Sequence, residues 1–119
     1  MEKVKKMLDL IAQSIFDKKG MNILALDVKN ISTLSDYVVI AEGFTEKHLK
    51  AIADEIVFNV KTKEKDFPNF IEGGLDQWVV IDYVNIMIHL FIPDMRQKYH
   101  LEKLFDNANI IDLNIEVKK

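Results

Sequence analysis

Trp78-Val79-Val80-Ile81-Asp82-Tyr83-Val84-Asn85-Ile86-Met87-Ile88-His89-Leu90-Phe91-Ile92-Pro93 is the stretch whose reading decides the fold of this chain. Trp78–Tyr83 and Ile86–Ile92 are two runs rich in β-branched and aromatic residues, separated only by Val84 and Asn85. That spacing predicts a tight antiparallel hairpin, with Trp78 opposite Phe91, Val80 opposite His89, Asp82 opposite Met87 and Tyr83 opposite Ile86. Val84 is a poor residue for the positive φ that such turns demand. Side chains alternate across a sheet, so this register sorts them onto two faces. Val79, Ile81, Tyr83, Ile86, Ile88, Leu90 and Ile92 form an aliphatic face that belongs against core helices. Trp78, Val80, Asp82, Met87, His89 and Phe91 form the other. It mixes large aromatics, a thioether, an acid and an imidazole, the kind of composition found in protein interfaces. The hairpin alone leaves two readings open: a docking face, or a second core layer with Asp82 paired to His89.

Outward from the hairpin, amphipathic spacing predicts a first helix over Glu2–Lys18, stopped by Lys18, Lys19 and Gly20. Ile23–Val28 and Tyr37–Ala41 read as buried strands joined by a polar loop. Gly43 breaks the chain, Thr45 is the expected N-cap, and Leu49, Ile52, Ala53, Ile56, Val57 and Val60 mark one stripe of a second helix. Phe70–Ile71 reads as an edge strand between Pro68 and Gly73-Gly74. Pro93 ends the hairpin, and a short helix capped by Asp94 runs to Tyr99. Leu101–Phe105 follows as a second helical piece, and Ile110–Val117 alternates in the manner of an added strand or a loose tail. Helix, two strands, helix, then three strands and short helices make an α/β (α+β) sandwich around a mixed five-stranded sheet.

With 119 residues, the chain is sized for a single domain over 1–119. Its composition, 49% hydrophobic and 29% charged with only two prolines and four glycines, excludes disordered and collagen-like chains. A net charge of −3 with short basic clusters argues against DNA and suits a basic protein partner. There is no cysteine, which removes disulfides, thiolate metal sites and thiol catalysis. Met1–Lys6 leads into an amphipathic pattern rather than a signal peptide, and no apolar run is long enough to span a bilayer. The expected location is the cytoplasm.

Catalytic chemistry finds little support. His48, His89 and His100 lack metal-ligand spacing, and Ser14, Ser32 and Ser35 lack a nucleophile-elbow context. One enzyme-like feature remains: Ile40-Ala41-Glu42-Gly43-Phe44-Thr45, a strand, a glycine and a helix start able to cradle a phosphate. A nucleotide-binding or nucleotidyltransferase-like enzyme using the Gly43–Thr45 turn is therefore the alternative function. It lacks the downstream acid pair that would hold two metal ions, because Asp54 and Glu55 are adjacent on a helix and Asp82 stands alone on its strand. No cofactor or metal is expected.

Several blocks occur in order: Leu26-Asp27-Val28, Leu34-Ser35-Asp36-Tyr37-Val38-Val39-Ile40, Ala51-Ile52-Ala53-Asp54-Glu55-Ile56 and Glu72-Gly73. Trp78-Val79-Val80-Ile81-Asp82-Tyr83, His89-Leu90-Phe91, Arg96, Tyr99 and Leu101-Glu102 complete them. Together they resemble the Iojap family of ribosomal silencing factors (RsfS) over nearly the whole chain. The resemblance implies a nucleotidyltransferase-like fold without the catalytic acids, and a protein that is not an enzyme. It implies binding to ribosomal protein fourteen of the large subunit, which blocks subunit joining and represses translation, and it implies homodimers. Trp78, Asp82, Met87, His89, Phe91, Arg96 and Tyr99 are the expected partner-binding residues, with Trp78 and Phe91 as aromatic anchors and Asp82 facing a basic side chain. The chain departs from the family pattern at Gly74-Leu75-Asp76, at the Val84-Asn85 turn and at Phe105.

Overall fold

The computed structural model describes residues 2–32, 35–73, 77–99, 103 and 108–117, with side chains given for these except at 2, 98 and 99. Helix α1 spans Glu2–Asp17, strand β1 Met21–Asp27, strand β2 Tyr37–Glu42 and helix α2 Glu46–Glu64. Strands β3 (Phe70–Glu72), β4 (Trp78–Asp82) and β5 (Ile86–Phe91), helix α3 (Pro93–Tyr99) and strand β6 (Asn109–Ile110) follow. The segment 101–105, expected to be helical, falls outside the described residues apart from Lys103.

One mixed sheet has the order β3-β4-β5-β2-β1-β6. Among the described residues only β2 and β5 pair in parallel, with Tyr37 beside Ile86 and Glu42 beside Phe91. The other pairings are antiparallel. The expected sheet of five strands has six, because Asn109 and Ile110 add to β1 opposite Asp27 and Leu26. A two-residue ladder on an edge has almost no periodicity, so its pairing depends on β1 rather than on its own sequence.

The hairpin register is the one expected: Trp78 lies opposite Phe91, Val80 opposite His89 and Asp82 opposite Met87. Its aliphatic face packs under α1 and α2 in a core that includes Leu8, Ile11, Ile15, Leu49, Ile52 and Ile56. The opposite face builds a smaller apolar cluster of Leu26, Val28, Val38, Ile40 and Phe91, against which Trp78, Met87 and Met95 pack. β2 is buried over its whole length, as expected of a strand covered on both faces. The first helix stops as expected near Lys18–Gly20, but the left-handed residue is Lys19 at φ 70° rather than the glycine. Gly20 is required for closeness, since a Cβ there would collide with Ile15 Cγ2 and stand 2.9 Å from the Ile15 carbonyl oxygen.

The hairpin turn resolves the conflict posed by Val84. Asn85 N–H donates to the Tyr83 carbonyl at 2.8 Å across Val84, which sits at φ 73°, forming a three-residue γ-turn. The Asp82 carboxylate accepts the Val84 N–H at 2.7 Å, while Asn85 O accepts both Asp36 and Tyr37 N–H. A β-branched residue with positive φ is strained, and Val84 is 61% exposed, so its side chain recovers little through packing. Val84→Gly is expected to stabilise the fold by about 1 kcal/mol, the relief of left-handed strain exceeding the added freedom of the unfolded chain. Chemical denaturation measures this directly, and a loss of stability would show that the isopropyl group makes contacts worth more than the strain.

Candidate protein-docking site

Because β2 and β5 run in parallel, their C-terminal ends lie side by side, and Gly43 N–H donates to the Phe91 carbonyl at 2.9 Å. From this shared end the chain leaves along α2 toward one face and along α3 toward the other. The crevice beyond the carboxyl ends of adjacent strands is the common location of a binding site in such sheets. Here it is a groove of about 540 Å³ lined by Glu46, Glu72, Gly73, Gln77, Trp78, Val80 and Met95. A second depression of about 390 Å³ adjoins it at Glu46 and is lined by Phe44, Thr45, Lys47 and Ile92. An indole, a valine, a thioether and two exposed carboxylates make the larger groove both apolar and acidic.

Trp78 is half-buried at the start of β4. Its ring lies 4.8 Å from that of Phe91, and its Nε1–H donates to His89 Nδ1 at 3.1 Å. The His89 and Phe91 rings stack at 6.1 Å. Burial pushes the His89 imidazole from 6.5 down to about 4, so at neutral pH it is uncharged and presents the Nδ1 lone pair to the indole. The Asp82–His89 pair of the second-core-layer reading does not form among the described residues: His89 is bonded to Trp78, and the Asp82 carboxylate is bonded to the turn at Val84 N–H.

Arg96 projects from α3 across the sheet. Its Nη1 donates to Glu42 Oε2 at 3.0 Å and to the Asn22 carbonyl at 2.7 Å. Asn22 sits at φ 52° in the irregular stretch of β1 between Met21 and Leu24, and its Nδ2 donates to Glu42 Oε1 at 3.1 Å. The Arg96 and Glu42 side chains are only 12% and 11% exposed, so this buried pair straps α3 onto the end of the β1–β2 pair.

The sequence-derived site is thus only partly assembled. Trp78, His89 and Phe91 form one aromatic cluster, but Phe91 is fully buried, so it supports Trp78 from below instead of presenting an anchor at the surface. Asp82 and Met87 lie at the turn end of the hairpin, four residues along β4 and so about 13 Å from Trp78. Arg96 is committed to Glu42, and Tyr99 belongs to α3 with its side chain outside the description. Sequence reading missed Glu46, Glu72 and Met95 as groove residues and Glu42 as the Arg96 partner, and it put Val80 on the mixed face without naming it as a contact. For Glu42 a signal existed, an acid closing an otherwise apolar strand; for Glu46 and Glu72 none did, since isolated acids at a helix start and an edge strand are ordinary.

At the Gly43–Thr45 turn the N–H groups of Gly43, Phe44 and His48 are already engaged. Phe44 N–H donates to His48 Nδ1 at 2.8 Å, and His48 N–H donates to Thr45 Oγ1 at 3.0 Å. His48 Nε2 lies 2.6 Å from the Lys18 carbonyl and donates to it, since Nδ1 is the acceptor. Gly43 is closed in by its neighbours, its missing Cβ standing 2.8 Å from Leu49 Cδ2 and 3.1 Å from His48 Nδ1. Glu46 in the first turn adds a negative charge beside these groups, which disfavours a phosphate there.

Residues 1–119 match the family described as "Ribosomal silencing factor during starvation". The chain is 36% identical over 116 residues to the ribosomal silencing factor RsfS of Bacillus subtilis, covering 92% of this chain and 93% of that protein. A crystal structure of a protein from Bacillus halodurans superposes with a TM-score of 0.76 at 33% identity, covering 91% of this chain and 98% of that one. The mouse protein named mitochondrial assembly of ribosomal large subunit protein 1 is 26% identical over 101 residues, covering 82% of this chain and 44% of that protein.

Two outcomes test this geometry. Unfolded His89 binds a proton near pH 6.5, but folded His89 does so only near pH 4. Between those values unfolding takes up a proton, so this group's contribution to stability is complete above about pH 6.5 and is lost as pH falls toward 4. Denaturant melts at pH 7 and pH 4.5 should show a smaller fall for His89→Phe than for the wild type. Separately, Arg96→Ala leaves Glu42 buried without its counter-charge, and is expected to cost about 3–5 kcal/mol in the same measurement.

Proposed function

The chain belongs to the ribosomal silencing factor family, and we propose that it represses translation by binding the large ribosomal subunit through the groove beside Trp78. The receptor in this reading is ribosomal protein fourteen, on the surface that meets the small subunit. A domain of this size bound there excludes the small subunit by volume, so repression needs occupancy and no catalysis. It follows the ratio of free protein to Kd and ends on dissociation. The action belongs in the cytoplasm, where subunits join; among the described residues no helix is long and apolar enough to cross a membrane.

The observation that carries this reading is the composition of the groove. Trp78 and Met95 offer the aromatic and thioether surface that carries affinity at interfaces, while Glu46 and Glu72 suit a basic protein surface. Asp82, assigned to a basic partner side chain from the sequence, gives one carboxylate oxygen to the turn at the far end of the hairpin, so in this reading the contact with a basic surface beside Trp78 falls to these two carboxylates. The family reading also carries a homodimer, for which the free edge of β3, with Phe70 and Ile71 exposed, is the candidate surface.

Co-sedimentation of the protein with isolated large and small subunits is the test. Binding is expected to the large subunit alone. The double charge reversal Glu46→Lys/Glu72→Lys, at exposed positions, should preserve the melting temperature and weaken binding about tenfold or more. Binding to neither subunit would overturn the function, and full binding by the charge-reversed protein would move the contact away from the groove.

A further inference from the structure

We propose that His89 is a positioning residue for the docking groove, acting through Trp78 rather than by touching the partner. The inference rests on the large-subunit reading above and specifies how that site is held ready. His89 is half-buried on β5 directly opposite Val80, one of the groove-lining residues, and diagonal to Trp78. Its Nδ1 accepts the indole Nε1–H at 3.1 Å, and its ring stacks on the fully buried Phe91, 13° from parallel. Phe91 also lies against Trp78, with ring centroids 4.8 Å apart. The indole is therefore held by packing from Phe91, which supplies area without direction, and by its hydrogen bond to His89, which sets its rotation.

A half-buried tryptophan at an open groove can lie flat over apolar neighbours or swing outward. A directional bond to a ring that is itself immobilised selects one orientation. Preorganising a large anchor in this way removes an ordering cost that binding would otherwise carry. Burial keeps the His89 ring neutral at physiological pH, so the lone pair that makes the bond is available there.

Trp78 is the only tryptophan in the chain, so one indole N–H resonance and one fluorescence emission report on it alone. His89→Phe keeps an aromatic ring on Phe91 and removes the acceptor. His89→Asn places an amide oxygen close to the position of Nδ1. With His89→Phe, the folded protein should show an upfield-shifted, faster-exchanging indole resonance and an affinity for the large subunit lowered about tenfold, roughly the worth of one neutral hydrogen bond. His89→Asn should restore most of both. In a Trp78→Phe background, adding His89→Phe should change binding no further, since the residue acts through the indole.

An equal loss in both backgrounds would overturn the inference and make His89 a direct contact. Unchanged binding by a folded His89→Phe protein with a shifted indole resonance would overturn it as well, because orientation would then not matter. Failure of the wild-type protein to bind the large subunit would overturn the functional reading itself. That result is separable from the other two, in which the wild type binds.

Discussion

The parallel pairing of β2 with β5 is the constraint on which the rest of the molecule depends. Both strands lie at the centre of the sheet, and their residues are buried on one face under α1 and α2 and on the other by the smaller cluster around Phe91. With little water to satisfy their backbone groups, the ladder between them has to be complete. Its direction places Glu42 beside Phe91, and so starts α2 and α3 from one end of the sheet toward opposite faces. The groove at Trp78 lies at that divergence. Helices leaving from opposite ends of the sheet would leave no crevice there.

The two faces of the sheet are stabilised differently. Beneath α1 and α2 the packing is almost wholly aliphatic, from Leu8, Ile11 and Ile15 to Ile52, Ile56 and Ile88, and burial alone accounts for its cohesion. Beneath α3 there is less apolar area, and polar contacts supplement it. The Arg96–Glu42–Asn22 network ties the helix to one side of the sheet, and the Trp78–His89 bond fixes the aromatic cluster on the other. Buried polar contacts add little net stability, but they discriminate strongly between arrangements because each is costly to leave unpaired. That suits a surface whose shape matters for recognition.

The Gly43 turn illustrates how one backbone plan supports different uses. A strand, a glycine and a helix start are the elements of a phosphate cradle, and the sequence contains them in order. In three dimensions His48 turns back to accept the Phe44 N–H, Thr45 accepts the N–H of His48, and Leu49 fills the space beside Gly43. The N–H groups of Gly43, Phe44 and His48 are taken up by the protein itself, and the turn forms a structural corner next to a groove of acidic character.

Local pattern was enough to place α1, α2 and α3, the hairpin with its register and the division into an aliphatic and a mixed face, because each depends on periodicity, a helix-start signal or a two-residue connection. Trp78–Ile92 was legible for that reason. The sequence by itself also determined membership of the ribosomal silencing factor family, through blocks spread along its length. What it did not determine was which mixed-face residues reach solvent. Trp78, Asp82, His89 and Phe91 share one face, yet Phe91 is sealed beneath it, Asp82 is spent on the strained turn and His89 on the indole. Only the tertiary structure decided this, since the exposure of a side chain and the partner of a polar group depend on what arrives from distant parts of the chain. Here those arrivals are α3, carrying Met95 and Arg96, and the start of α2, carrying Glu46.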